Sequence, residues 1–191
     1  MRPTISDSVT LRELSDANRD SVLALRVAPE QSRFVGSVAG AVQEAEHYPE
    51  AKAWYRAIYD GEEPVGFVML SWDVTPVPGE IIGPWFLWKL LIDERYQGRG
   101  YGRAALRQVV EIVRNAGATE LLTSYVTGEG EPWPFYERFG FVPTGERDSA
   151  GEVILSLDLA WASVRESRFG CVTPLSRNQA QTDGALASPN R

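Results

Sequence analysis

Apolar residues recur with two different periods along this chain, and the switches between them outline a fold. "SVTLREL" (Ser8 to Leu14) alternates as an opening strand, and Ser15 is placed to cap a helix running to about Val27, with Val22 and Leu25 on one face. From Ala28 to Glu50 the periodicity weakens, leaving room for a helix near Gly40 to His47. The period then shortens. "AKAWYRAIYD" and "EPVGFVMLSWD" are aromatic and β-branched runs separated by Asp60-Gly61-Glu62, a hairpin signal. "GPWFLWKLLID" predicts a third long strand, with Phe86, Trp88, Leu90 and Ile92 on one face and Trp85, Leu87 and Leu91 on the other. Only Lys89 in it is polar, so this strand should be central and covered on both sides.

Helical spacing returns from Gly100 to Asn115, where Leu106, Val109, Val110 and Val113 share a face and Gly117 is placed to end the helix. "TELLTSYV" (Thr119 to Val126) is a strand again, so strand, helix and strand form a βαβ unit with parallel strands and a right-handed crossover. "TGEGEPWP" is a loop, and "PFYERF" is a short helix that Pro134 can open. "FVPTGE" and "EVILSLDLA" around "RDSAGE" make a closing hairpin. The expected class is α/β: a mixed, mostly antiparallel central sheet with one βαβ unit and helices on both faces. One domain over residues 1–161 accounts for all of it. Beyond Trp161 the pattern dissolves into Ser, Asn, Gln, Pro and Arg, which predicts a disordered or loosely docked tail over 162–191.

Composition narrows the chemistry. With one cysteine, Cys171, in 191 residues, neither an internal disulfide nor a cysteine metal cluster can form, and no metal is expected. The N-terminus lacks the apolar core of a signal peptide, and no apolar run approaches the roughly 20 residues that span a bilayer, so a cytoplasmic protein without membrane contact is expected. The net charge of −7 argues against a nucleic-acid partner. Since the stretch from Ala162 holds four arginines against two carboxylates, the acidic surplus lies in the folded part, where it can attract a cationic substrate or simply maintain solubility.

The chemistry-bearing stretch is "LLIDERYQGRGYGRAAL" (Leu90 to Leu106). Gly98, Gly100 and Gly102 leave backbone N–H groups unshielded where the helix begins, an arrangement suited to phosphate, and Arg99 and Arg103 add charge there. The spacing is not that of a P-loop, which needs four residues between its glycines and then Lys-Ser/Thr. A dinucleotide fingerprint can be forced onto Gly100 to Ala105, but the strand ends too early, near Ile92, and the upstream meander is wrong for that fold. A tight turn without any ligand is the bland alternative.

"LLIDERYQGRGYG" resembles motif A of the GNAT N-acetyltransferases, with Gln97, Gly100 and Gly102 at its signature positions, and "PWPFYERFGFVPTGE" resembles motif B. The resemblance covers roughly residues 8 to 160, and "FLWKLLIDERYQGRGYG" with "ELLTSYVTGEG" is similar to bacterial spermine/spermidine acetyltransferases. It implies the acyl-CoA N-acyltransferase fold, acetyl-CoA as the donor and a small amine, such as a polyamine, as the acceptor. It also implies direct attack, with pyrophosphate on the amides of Gly98 to Gly102 near Arg99 and Arg103. Gln97, Tyr101 and the main chain of Leu90, Leu91 and Ile92 complete the implied donor site, the pantetheine arm pairing like a strand. A main-chain N–H near Leu91 or Ile92 would polarise the thioester, and Tyr136 would protonate the leaving thiolate.

The base is not implied. Eukaryotic polyamine acetyltransferases of this fold carry acidic residues on the strand before the loop, where this chain has Trp88 and Lys89. Glu129, Glu131, Asp73 and Glu80 are candidates; His47 reads as a surface residue. Trp72, Trp85, Trp88 and Trp133 divide between core and acceptor pocket. Other open acceptors are an aminoglycoside-like antibiotic and a protein amine; a non-catalytic acyl-CoA-binding module and a homodimer also stay open.

Overall fold

A computed structural model describes residues 8–78 and 82–160. The tail expected over 162–191, with Cys171, and the candidate base Glu80 lie outside the described residues.

Seven strands form one sheet in the order β1-β2-β3-β4-β5-β7-β6. They are β1 (Val9–Arg12), β2 (Ala53–Asp60), β3 (Glu63–Ser71), β4 (Phe86–Ile92), β5 (Glu120–Tyr125), β6 (Val142–Arg147) and β7 (Val153–Asp158). All neighbouring pairs are antiparallel except β4 with β5. The mixed, mostly antiparallel sheet expected from the sequence is therefore present, and β7 inserts between β5 and β6. The β2–β3 hairpin turns at Gly61, whose φ of +60° suits glycine.

Among the described residues, five α-helices flank the sheet: α1 (Arg19–Leu23), α2 (Ser32–Val35), α3 (Val38–His47), α4 (Tyr101–Asn115) and α5 (Trp133–Phe139). On one face α4 and α5 cover a core that includes Leu106, Val109, Val113, Leu121, Tyr136 and Phe141. On the other, α1 and α3 cover Phe67, Met69 and Leu91 with Val22, Leu25 and Val42. The Ser37 hydroxyl caps α3 by accepting the Gly40 N–H at 3.0 Å. Gly117, at φ +99°, follows the end of α4 as its spacing predicts.

Three expectations need correction. First, the helix expected from Ser15 to Val27 is only Arg19–Leu23. Asn18 Oδ1 accepts the Ser15 N–H at 2.8 Å, which makes a turn where the helix should start. At the other end, Asp93 accepts the Arg26 N–H and the Arg26 carbonyl accepts the Glu94 N–H, so tertiary partners replace helical ones. Second, Pro134 is the second residue of α5, after Trp133, with Pro132 at the cap.

The third correction matters most for function. Alternation along β4 does not persist, because Met69 pairs with Lys89 while Leu70 pairs with Leu87, leaving Trp88 as the extra residue of a β-bulge. Trp85 and Leu87 before the bulge therefore share the α4 face with Leu90 and Ile92 after it. Trp88 and Leu91 pack toward the α1–α3 face. Lys89 reaches that side as well, with its ammonium 2.9 Å from Glu44 of α3.

Candidate active site

The bulge bends β4 away from β5. Their parallel pairing consists of Phe86↔Leu122 and Leu87↔Thr123 and then stops. The buried Thr123 hydroxyl donates to the Leu87 carbonyl at 2.9 Å and marks the fork. Beyond it the sheet opens into a cleft of about 540 Å³, bordered on the β4 side by Trp88, Leu90 and Ile92. A β4 edge without a partner strand is suited to receive an extended chain that pairs with its main chain.

At one end of the cleft lies the glycine loop. Gly98 and Gly100 have φ values of +72° and +95°, and Gly100 is the cap residue of α4. The first main-chain bond into the helix runs from the Ala104 N–H to the Gly100 carbonyl at 3.0 Å. The N–H groups from Gly98 to Arg103 have no protein acceptor among the described residues, so they form a row of free donors at the positive end of a 15-residue helix. At Gly102 a Cβ would make ordinary contact, 3.4 Å from Ile92 and 3.6 Å from Phe135, so α4 starts packed against both. Arg103 and Arg138, both exposed, border the same end without a carboxylate partner among the described residues.

Gln97 braces this loop. Its amide donates to the Ile92 carbonyl at 2.9 Å and to Gln31 Oε1 at 2.7 Å, joining the end of β4 to the segment before α2. The Tyr101 hydroxyl donates to Asp60 Oδ2 at 2.6 Å, and its ring is buried in the α4 core. Across β4, Gly66 permits close approach, since a Cβ there would overlap the Leu91 carbonyl.

Tyr136 stands where β4 and β5 part. Its ring meets Phe135 and Phe141 edge-on, both at 5.3 Å. Burial pushes its phenol up to about 12, the Thr123 hydroxyl opposes that shift, and the Glu152 carboxylate adds to it. Tyr136 is thus a protonated phenol at any pH near neutrality.

The opposite wall comes from the segment between β1 and α3. Val27, Gln31, Phe34 and Val35 border the cleft. Asp93 docks this segment, its buried carboxylate accepting the Arg26 N–H at 3.0 Å and the Arg95 side chain at 2.7 Å. Burial acts to raise the Asp93 pKa, but the Arg95 guanidinium and the N–H groups of Arg26 and Arg95 together hold it below the usual carboxylate range. The Arg33 guanidinium donates to the Glu129 carbonyl, and the Phe34 ring lies 4.0 Å from where a Cβ on Gly130 would be, so α2 is strapped to the loop after β5.

Of the residues singled out in the sequence, Leu90, Ile92, Gln97, Gly98, Gly100, Tyr101, Gly102, Arg103 and Tyr136 border the cleft. Leu91 does not, its side chain being buried in the other core, and Arg99 instead lies over the Tyr96 ring at 5.6 Å. Among the candidate bases, Glu131 borders the cleft, with Oε2 accepting the Gly128 N–H at 2.9 Å. Glu129 meets Arg33 through its carbonyl, and Asp73 lies apart with its carbonyl on Lys52. His47 ends α3, exposed, with Nδ1 2.8 Å from the Gln43 carbonyl. Trp72 and Trp85 pack on each other, Trp88 borders the cleft, and Trp133 stacks on Tyr125, which borders it too.

Sequence reasoning missed Gln31, Phe34, Val35, Ser124 and Arg138. The helical spacing of Arg138 from Tyr136 was a signal within reach; the others sit in segments without a motif. Among the described residues, no group of three His, Cys, Asp or Glu is arranged for a metal ion, and no helix is long and apolar enough to cross a membrane.

Comparison with known proteins agrees with this geometry. The chain is 28% identical over 159 residues to the spermine/spermidine N(1)-acetyltransferase of Bacillus subtilis strain 168, covering 80% of this chain and 99% of that protein. Among solved structures, an aminoglycoside acetyltransferase in complex with coenzyme A superposes with a TM-score of 0.66 at 20% identity, covering 83% of this chain and 99% of that one. The PaiA N-acetyltransferase of Thermoplasma acidophilum in complex with coenzyme A gives 0.54 at 14%, covering 79% and 99%. These two likenesses are of fold. Residues 13–141 match the Acetyltransferase (GNAT) family, and the chain belongs to it.

Proposed function

We propose that the protein transfers the acetyl group of acetyl-CoA to the primary amine of a small cationic acceptor, by direct attack of the amine, with polyamines the first acceptor class. As a GNAT protein it is an acetyltransferase that uses acetyl-CoA, which supplies an activated acetyl thioester. The observation that carries the reading is the fork between β4 and β5, with free N–H groups at one end and a buried phenol at its apex.

The residues fit this donor. The N–H groups of Gly98 to Arg103 receive the pyrophosphate, and Arg103 and Arg138 add positive charge beside it. The freed main chain of Leu90, Leu91 and Ile92 pairs with the extended arm, and a main-chain N–H there polarises the carbonyl under attack. Arg99, held against Tyr96, contributes at longer range.

Tyr136 gives its proton to the departing sulfur. Its raised pKa keeps it protonated but makes it a weaker acid than an ordinary thiol of about 8.5. The burial responsible also raises the proton affinity of a thiolate formed beside it, which narrows the mismatch.

A cationic acceptor suits the acidic domain, the Glu131 carboxylate and the ring faces of Trp88 and Tyr125. The polyamine class rests on the named Bacillus relative. Lys89 does not oppose it, because its ammonium is paired with Glu44. The test is thiol release from acetyl-CoA over a panel of spermidine, spermine, amino acids, aminoglycosides and peptides. Turnover with polyamines at least tenfold above the other amines is expected; a different preferred amine would replace the acceptor class, and silence throughout, with acetyl-CoA bound, would leave a binding module.

A further inference from the structure

An alkyl ammonium, with a pKa near ~10.4, must lose a proton before its nitrogen can attack. Resting on the acetyltransferase reading above, we propose that Ser124 and Glu152 form the relay that takes this proton from the acceptor. Ser124 borders the cleft, and its hydroxyl donates to Glu152 Oε2 at 2.6 Å. Strand alternation sets Ser124 on the face of β5 opposite Thr123 and Tyr125, which are buried. Tyr136 packs in the α4–α5 core on the Tyr125 side. The two proton-handling groups thus lie on opposite faces of one strand, one toward the leaving sulfur and one toward the incoming amine.

Glu152 is fixed for this task by its own turn. Its N–H donates to Asp148 Oδ1 at 2.8 Å, and its carbonyl accepts the Asp148 N–H at 3.1 Å. The residue is half-buried and meets the cleft through its bond with Ser124. Around it, Ser124 of β5 and Asp148 of the β6–β7 hairpin are its hydrogen-bond partners, and its charge reaches Tyr136 of α5. Arg147 donates to the Gly151 carbonyl at 2.6 Å, in the same turn.

In the step, the Ser124 oxygen accepts a proton from the ammonium while its own hydrogen passes to Glu152, which releases it to water. The neutral nitrogen then bonds to the acetyl carbon, the carbon–sulfur bond breaks and Tyr136 protonates the sulfur. The proton lost from the new amide nitrogen restores Tyr136. One proton in total leaves for solvent.

The test compares wild type, Glu152→Gln, Ser124→Ala and Ser124→Thr in rate–pH profiles with an alkyl amine, alongside a weakly basic amine already neutral at pH 7. At pH 7, Glu152→Gln and Ser124→Ala should lower kcat with the alkyl amine by about 100-fold, with Ser124→Thr retaining most of the rate and acetyl-CoA affinity unchanged. The deficit should shrink to a few-fold above pH 10 and with the neutral amine. A deficit equal at every pH and for both amines, or no deficit in either variant, overturns the relay alone. Absence of wild-type turnover with every amine overturns the acetyltransferase reading and the relay with it.

Discussion

The two ends of the cleft are built on different principles. On the proposed reading the donor end is main chain: a glycine loop, an unpaired strand edge and the first turn of α4, within residues 88–103. The proposed acceptor end is side chains gathered from afar: Phe34 and Val35 from α2, Ser124 from β5 and Glu131 from a loop, with Glu152 of the last hairpin behind Ser124. Main-chain recognition demands particular backbone shapes, so it imposes glycines at fixed spacing. Side-chain recognition demands only that the fold bring groups together, which leaves the chemistry of the acceptor free to change while the donor is kept.

Tyr136 sits at the junction, and its loss should have the largest effect. Tyr136→Phe is expected to lower kcat by about 10²-fold or more while acetyl-CoA affinity stays within twofold, read by thiol release and calorimetric titration. The same variant isolates a stability component. Because burial raises the folded-state pKa to about 12, above the unfolded value near ~10, the neutral phenol stabilises the fold fully below pH 10. That contribution falls as pH rises from 10 toward 12, by roughly 1.4 kcal/mol per pH unit. Tyr96, Tyr101 and Tyr125 are raised as well, so denaturant melts of wild type should lose more stability over that window than those of the phenylalanine variant.

Asp93 joins the two ends, since it terminates β4 and holds the Arg26 turn of the acceptor wall. Asp93→Ala leaves the Arg26 N–H and the Arg95 guanidinium without their acceptor. A loss of about 2–3 kcal/mol in denaturant unfolding is expected, with a raised acceptor KM. Asp93→Asn keeps one acceptor oxygen and should recover part of both. An unchanged KM in a destabilised Asp93→Ala would separate the two ends.

What could be read from the sequence follows the same division. The strands through the βαβ unit and the glycine loop were legible because each imposes a local period or spacing, and Tyr136 was singled out only through the resemblance to motif B. The β4 bulge was not: Trp88 and Lys89 look like ordinary alternating positions, and only the pairing of Leu70 with Leu87 reveals the extra residue. The shortened α1 was hidden for a related reason, its last turn yielding to contacts with Asp93 and Glu94 nearly 70 residues later. Ser124 and Glu152 carry no signal at all, being 28 residues apart and joined only through the register of β5 and β7.

At the donor end, the double variant Arg103→Ala with Arg138→Ala should weaken acetyl-CoA binding about tenfold. Since both side chains are exposed, the effect is one of screened charge. Raising salt from about 50 to 500 mM should weaken wild-type binding and leave the variant nearly unaffected, and the acceptor KM should not move. Equal salt dependence in both proteins would assign the anion site to the amides of Gly98 to Arg103 alone.

The smallest effect expected is at the strap over the acceptor end. Arg33 reaches the Glu129 carbonyl and the Phe34 ring lies beside Gly130, so α2 and the loop after β5 should move as one wall only while these contacts hold. Arg33→Ala removes an exposed, single-point connection, and global stability should change by less than about 1 kcal/mol. The acceptor KM should rise two- to fivefold, because the wall that orders the amine is no longer held, while acetyl-CoA affinity stays at the wild-type value. Arg33→Lys restores charge but not the planar fork of donors, so it should behave as the alanine variant does. A change in acetyl-CoA affinity equal to that in acceptor KM would show that the strap serves both ends, and that the main-chain and side-chain halves of the cleft are one unit.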